Sequence, residues 1–442
     1  MSKKSENTGL NISVKSFITA IVVIFILMLG TYGLTFVIPG GGIPFWKWAL
    51  SPILVLGADG NVSLIAVIIF LLVIGGIFNC LDKCGIMKYM LDSITHRFGK
   101  ERYKLLALVT LFFMAMGSFI GSFEEAVPLV PIVVALAIRL GWDSLVGLGM
   151  SLLAIGCGFS AGVCNPFTVG VAQELAGLPM FSGMGFRAVG FVLVYALLFG
   201  FLYTYAKKIE KPLDLEDVGQ NFVQDEKMDK GLKSFVIIML SGILVVLSSV
   251  VFTFLQDLTM IIVAVTFLVA GIVGTLRSGR GGNIPMTFLN GITSVLPAVL
   301  MILMANSIKY TMEEGHILDV ILQGMVATAQ TLPRWSVILF IYLIVLIMNF
   351  FISSGSAKAF LLMPLIIPIA EAFGISSQLC IVAYAFGDGF SNVLYPTNPV
   401  LLISIGLVDV DYGKWFKWSW KFQFLNLILT SALLLVGLTI GY

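Results

Sequence analysis

Residues 117–125 read Gly-Ser-Phe-Ile-Gly-Ser-Phe-Glu-Glu, a small, polar and finally acidic string inside an apolar stretch that runs from 104 to 140. A second apolar stretch, 335–374, is interrupted in the same manner by Ser353-Ser354-Gly355-Ser356-Ala357-Lys358. The rest of the chain decides what these interruptions mean. Of 442 residues, 59% are hydrophobic and 11% charged, with a mean hydropathy of +1.03. An ordinary soluble domain carries roughly 25% charged residues. Too little polar surface remains to wrap a core of this size, so the chain is an integral membrane protein in contact with the lipid bilayer. A formal charge of +2 provides no basic field for nucleic acid. The only histidines are His96 and His316, which leaves metallohydrolase and Ser–His chemistry without their parts, and no enzyme is expected. Cys80 and Cys84 stand at i,i+4 with no His or second cysteine pair nearby, which favours packing over zinc.

A lipid-exposed helix cannot carry a polar, Gly/Ser-rich tip, because non-helical backbone survives at membrane depth only against protein or a wet cavity. Both stretches are therefore expected to be re-entrant helical hairpins; the alternative is two ordinary crossings each, joined by a surface loop. Full crossings need about 20 residues for about 30 Å of hydrocarbon. They are expected at 17–38, 62–81, 145–178, 186–206, 234–255, 258–276, 285–311, 377–408 and 419–441. Segments 145–178 and 377–408 are too long for one straight helix, and Asn165-Pro166 and Pro396-Thr397-Asn398-Pro399 mark where each should break. The N-terminal apolar run is too long for a cleavable signal. With a cytosolic tail at 1–16 and hairpins that return to their starting side, most of the 26 Lys and Arg residues fall inside. Lys47, Arg187, Lys309 and Arg334 fall outside, and Lys358 lies in a tip. The expectation is a multi-pass protein of the cell inner (cytoplasmic) membrane, N-terminus cytosolic and C-terminus outside.

The chain also repeats itself. Gly158-Phe159-Ser160 recurs as Gly389-Phe390-Ser391, and Phe119-Ile120 with Ser122 recurs as Phe351-Ile352 with Ser354. Pro131 matches Pro364 and Gly85 matches Gly315, all at nearly the same spacing. The first unit is 17–206, followed by a cytosolic linker at 207–233 and an extra helix at 234–255. That helix makes the second unit, 258–441, begin on the opposite side, so the units form inverted repeats. Inverted repeats with discontinuous helices mark secondary transporters that bind substrate near the midplane. The fold class expected is an all-α polytopic membrane protein, each repeat holding a re-entrant hairpin and a broken helix.

Glu124 and Glu125 at the first tip are costly inside a bilayer and need a partner, a wet cavity or a proton. One reading pairs a glutamate with Lys358 from the opposing tip; the functional one has them bind a cation, whether Na⁺, H⁺ or the positive end of a substrate. Asp388 is a third embedded acid. Ser122, Ser353, Ser354 and Ser356 are candidate tip hydroxyls, and Asn165, Thr168, Asn392, Thr397 and Asn398 offer oxygens at the breaks, where proline also frees carbonyls. Ser122, Asn165, Ser354 and Asn398 form a candidate Na⁺ set. Gln173 and Glu174 are weaker candidates. Trp46, Trp48, Trp335, Trp415, Trp418 and Trp420 are expected to be interfacial anchors. No bound cofactor is expected, only Na⁺ or H⁺ coupling.

With these residues in view, the chain resembles the YfcC family, within the four-carbon dicarboxylate anaerobic carrier group of the ion transporter superfamily. The resemblance rests on Glu124-Glu125 with Pro128 and Pro131, Asn165-Pro166-Phe167-Thr168-Val169-Gly170 with Ala172-Gln173, Ser354-Gly355-Ser356, and Phe386-Gly387-Asp388-Gly389-Phe390 with Asn392 and Pro396-Thr397. It implies a scaffold domain and a mobile transport domain, an elevator-like movement, a homodimer, and a small-molecule substrate that is a basic amino acid or a carboxylate. The charge count leans toward arginine/ornithine-like exchange, with a Na⁺- or H⁺-coupled dicarboxylate carrier as the alternative. A passive channel is a more distant alternative. So is an intramembrane aspartyl protease, because Ala385 stands where the protease motif needs Gly.

Overall fold

The computed structural model describes residues 14–39, 41–58, 62–98, 101–121, 123–211, 224–248 and 259–442, and every regular element among them is a helix. Seven of these helices are long and apolar enough to cross a membrane by length and composition. They include both arms of the second hairpin, Arg334–Phe351 and Gly355–Ala372. Short helices at Phe45–Ala49 and Ser51–Leu54 occupy a connection in which the sequence marked no element.

The helices pack in two groups. Val14–Thr35, Val62–Lys83, Glu226–Ser248, Thr259–Arg277 and Ile284–Glu314 lie against one another. In lipid such helices associate by close packing rather than by expelling water, so small residues mark the contacts. A Cβ on Gly291 would stand 2.2 Å from the Gly75 carbonyl oxygen, so the backbones touch directly. The second group holds the two interrupted stretches, the two long broken segments, Met184–Ile209 and Tyr412–Ile440. Ile86–Phe98 and Ile317–Ala329 join the groups, the first after a 73° bend that follows Val62–Lys83.

The centre of the second group is the most enclosed part of the protein. The Ser144–Leu175 segment is wholly buried over its apolar window, and Ser377–Gly389 is buried from Leu379 onward. Both are largely apolar with a few buried polar residues, among them Asn165, Thr168 and Asp388, as in helices with protein on every side. Two tryptophans expected at interfaces sit elsewhere. Trp48 is buried and donates to the Met28 carbonyl at 3.1 Å, and Trp415 is buried and donates to the Val393 carbonyl at 2.7 Å. An indole N–H buried in protein needs an acceptor, and here a backbone carbonyl provides it, inside a helix for Trp48 and at the end of a 3-10 turn for Trp415. Trp46, Trp335 and Trp420 are exposed.

Candidate functional site

Both long segments stop and restart. The first leaves helical geometry after Ala161, where Gly162 takes φ +45°, and resumes at Pro166. The Asn165 side-chain oxygen accepts from Phe167 N at 2.9 Å and Thr168 N at 3.3 Å. The second runs through a 3-10 turn at Phe390–Val393 and resumes at Pro399, and there the Asn398 oxygen accepts from Val400 N at 2.9 Å and Leu401 N at 3.3 Å. Each restart thus combines an Asn cap for the orphan N–H groups with a proline whose missing N–H costs nothing at the first position. The two segments also cross. A Cβ on Gly389 would lie 2.5 Å from Ser160 N, and one on Gly156 would lie 2.6 Å from Val393. They therefore run antiparallel, with the repeated Gly-Phe-Ser segments face to face.

The second tip, 352–354, closes onto this crossing. Lys358 and Asp388 are both fully buried and form an ion pair of 2.5 Å. The ammonium also donates to the Asn349 side-chain oxygen and, at 3.1 Å, to the Ile352 carbonyl at the tip, so its three hydrogens have three acceptors. Asn349 Nδ2 donates to Ser391 Oγ at 2.7 Å and to Asn392 Oδ1 at 2.9 Å, and Asn398 Nδ2 reaches the same Asn392 oxygen at 3.0 Å. A chain of amides therefore runs from the hairpin to the cap of the restarting helix. A Cβ on Gly355 would stand 2.6 Å from Asp388 Oδ2 and 2.7 Å from Thr168 Cγ2, so no side chain fits there. Asp388 Oδ2 thus faces the first turn of Gly355–Ala372, with the first turn after Pro166 beside it. Helix N-termini carry partial positive charge, which favours a carboxylate oxygen.

The first tip uses different contacts. Ser118 Oγ accepts from Val163 N at 3.0 Å, and its carbonyl accepts from Cys164 N at 3.1 Å, so the hairpin caps the frayed end of the broken helix directly. Arg187 lies behind, 1% exposed, and donates to the carbonyls of Gly162, Val163, Ser182 and Phe181. Ser122 and the side chains of Glu124 and Glu125 lie outside the described residues. The backbone from Glu124 to Leu129 is a 3-10 turn that packs against Pro399–Leu407 and Val62–Lys83. Gly355–Ala372 in turn packs against Pro166–Gly170 and Val171–Leu175. The returning arm of each interrupted stretch therefore lies on the restart of the more distant of the two broken segments.

Several expectations change at this level. Lys358 pairs with Asp388, which sits across one helix contact from it, and the expected pairing with Glu124 or Glu125 falls on side chains outside the described residues. Asp388 is accordingly a partnered anion rather than an open acid. In the candidate Na⁺ set, Asn165 and Asn398 each spend their oxygen on two backbone N–H groups, and Ser354 accepts from Ala357 N at 3.4 Å. Ser353 and Ser356 are half-buried beside Ser354, which is exposed. Thr168 and Thr397 are buried, and their hydroxyls have no partner among the described residues. Gln173 is buried and ties Phe181 N and Ser182 O together, whereas Glu174 is exposed. Sequence reasoning missed Asn349, Ser391, Arg187 and Trp415. Ser391 was within reach, since it ends the repeated Gly-Phe-Ser. Arg187, set among outward charges, gave no signal.

Residues 51–439 match the DcuC family, described as C4-dicarboxylate anaerobic carrier. An Escherichia coli (strain K12) protein named "Putative basic amino acid antiporter YfcC" is 31% identical over 400 residues, 86% of this chain and 78% of that protein. An uncharacterized protein of Haemophilus influenzae Rd is 26% identical over 398 residues, 86% of this chain and 77% of its own length. Among solved structures, the Alcanivorax borkumensis YdaH transporter aligns over 96% of this chain and 99% of its own with 16% identity and a TM-score of 0.48. With a family match over most of its length, this multi-pass membrane protein belongs to the DcuC family of carriers.

Proposed function

We propose that this carrier is a secondary active transporter that exchanges basic amino acids, arginine- or ornithine-like, across the cytoplasmic membrane by alternating access. The observation that carries the choice of substrate is the use of Lys358. Among the described residues its three hydrogens have acceptors in Asn349, Ile352 and Asp388, all in the second interrupted stretch and the broken helix beside it. The Lys358–Asp388 pair cancels in formal charge, which supports Glu124 and Glu125 as the groups that meet a cationic substrate end. The substrate carboxylate would meet the helix N-termini and hydroxyls at the tips, with Thr168 and Thr397 holding unspent hydroxyls. The YfcC relative's printed name agrees with such a substrate.

Depth supports a midplane pocket. Asp388 lies eleven residues beyond Ser377, roughly 17 Å along the helix axis at 1.5 Å per residue, about half of a 30 Å hydrocarbon core. The antiparallel crossing of the two Gly-Phe-Ser segments and the exchange of hairpin arms support inverted repeats with re-entrant tips. The Glu124–Leu129 turn touches both helix groups, which supports an elevator-like movement of the hairpin group against the other, and the resemblance adds a homodimer. Replacing Glu124 and Glu125 by Gln tests the assignment through arginine uptake into proteoliposomes. Each change is expected to reduce uptake at least tenfold, the scale of about 1.4 kcal/mol; full uptake by both variants would end it. The family description favours one second reading, a Na⁺- or H⁺-coupled dicarboxylate carrier. In that case succinate or malate uptake would follow an imposed ion gradient, and arginine would not compete.

A further inference from the structure

We infer that Lys358 is a tethered cation: its ammonium fills a hard-cation site at the second hairpin tip, and the site accepts Na⁺ when the lysine side chain is removed. The three groups around Nζ are a carboxylate oxygen from Asp388, an amide oxygen from Asn349 and a backbone carbonyl from Ile352. Those are the oxygen types that hard cations take.

The cage is built independently of the lysine. Asn349 Nδ2 is held by Ser391 and Asn392, which turns its oxygen toward Nζ, and Asn392 is held in turn by Asn398. Ile352 is extended, so its carbonyl has left the helix ladder of Arg334–Phe351. Asp388 Oδ2, fully buried, has no hydrogen-bond partner among the described residues, so the site holds more acceptor capacity than an ammonium can use. Removing only the lysine leaves a buried carboxylate that needs a counter-charge. A small cation entering the vacated space would supply it, in a cavity already lined by oxygen. With Lys358 in place, its ammonium is the counter-charge at that position. The inference does not depend on which substrate the carrier moves.

The test uses the purified full chain in detergent, with unfolding temperature read in NaCl and in choline chloride at equal ionic strength. Lys358→Ala is expected to melt several degrees higher in NaCl than in choline chloride, with a difference larger than that of the unchanged protein. Lys358→Ala combined with Asp388→Asn should lose that extra response, because the anionic ligand is gone. A Lys358→Ala protein no more responsive to Na⁺ than the unchanged chain would overturn the inference. So would a Lys358→Ala protein that fails to fold in both salts while the double variant folds, since a cavity that accepts Na⁺ would have been rescued in NaCl. No step measures transport, so failure of the substrate assignment leaves this result intact.

Discussion

The two hairpin tips solve one geometric problem with different chemistry. At the second tip a buried ion pair and a ladder of three asparagines bind the hairpin to the break. At the first, one serine docks onto two backbone N–H groups, and a buried arginine holds the carbonyls behind them. The repeated residues are those that shape backbone, the Gly-Phe-Ser crossings and the Asn-Pro restarts. The residues that carry charge have diverged. Counting back equally from Pro131 and Pro364 reaches Glu125 in one unit and Lys358 in the other, and the residue before Gly-Phe-Ser is Cys157 in one and Asp388 in the other. The charges of the second stretch pair with each other, whereas the sequence of the first tip carries two glutamates. The proposed function gives this a reason: both stretches would present helix ends to one centre, and one substrate there would need different charges from each.

That contrast can be broken most sharply at the ion pair. Asp388→Ala leaves a buried ammonium unpaired and should cost about 3–5 kcal/mol. Replacing both partners together, Lys358→Met with Asp388→Asn, should restore most of it. Thermal unfolding of the detergent-solubilised chain checks both, and a double variant as unstable as the single one would show that packing, not charge, holds the second tip.

The first unit should respond chiefly to Arg187. Its guanidinium bonds carbonyls of Gly162 and Val163 at 3.0 to 3.3 Å. Losing charged hydrogen bonds of this kind costs roughly 1.5–3 kcal/mol each at most, with partial compensation by water. Arg187→Leu should therefore destabilise by about 3 kcal/mol, and Arg187→Lys by less. Equal behaviour of the lysine variant would mean that charge alone, not the planar fork, is needed there.

The smallest and most diagnostic difference lies in the two caps. Asn165→Ala should cost about 1 kcal/mol, the ordinary value for a lost N-cap. Asn398→Ala should cost more, about 2 kcal/mol, because the same side chain also donates to the buried Asn392. Paired denaturation curves decide it; identical losses would mean that the asparagine ladder adds nothing beyond capping.

Much of this was legible in the chain because it depends on neighbours in sequence. Apolar run lengths marked most of the helices, Asn-Pro marked the restarts, and the Gly/Ser tips marked the turns of the hairpins. Local signals failed where a side chain reaches a distant segment. Trp415 carries the composition of an interfacial anchor, yet it is buried on the Val393 carbonyl. Arg187 counts as an outward charge by the positive-inside rule, yet it turns inward, because four freed carbonyls beside a broken helix are a better solvent for a guanidinium than lipid.

By itself, then, the sequence determined that this chain lives in a membrane and where its two long segments must break, since composition, hydrophobic length and proline chemistry are local properties. Only the tertiary structure decided which buried charge meets which. Lys358 meets Asp388 across 30 residues of chain, and the distance that pairs them is set by how their helices pack. Coulomb attraction and desolvation depend on that distance and on enclosure, and neither is written in the order of residues.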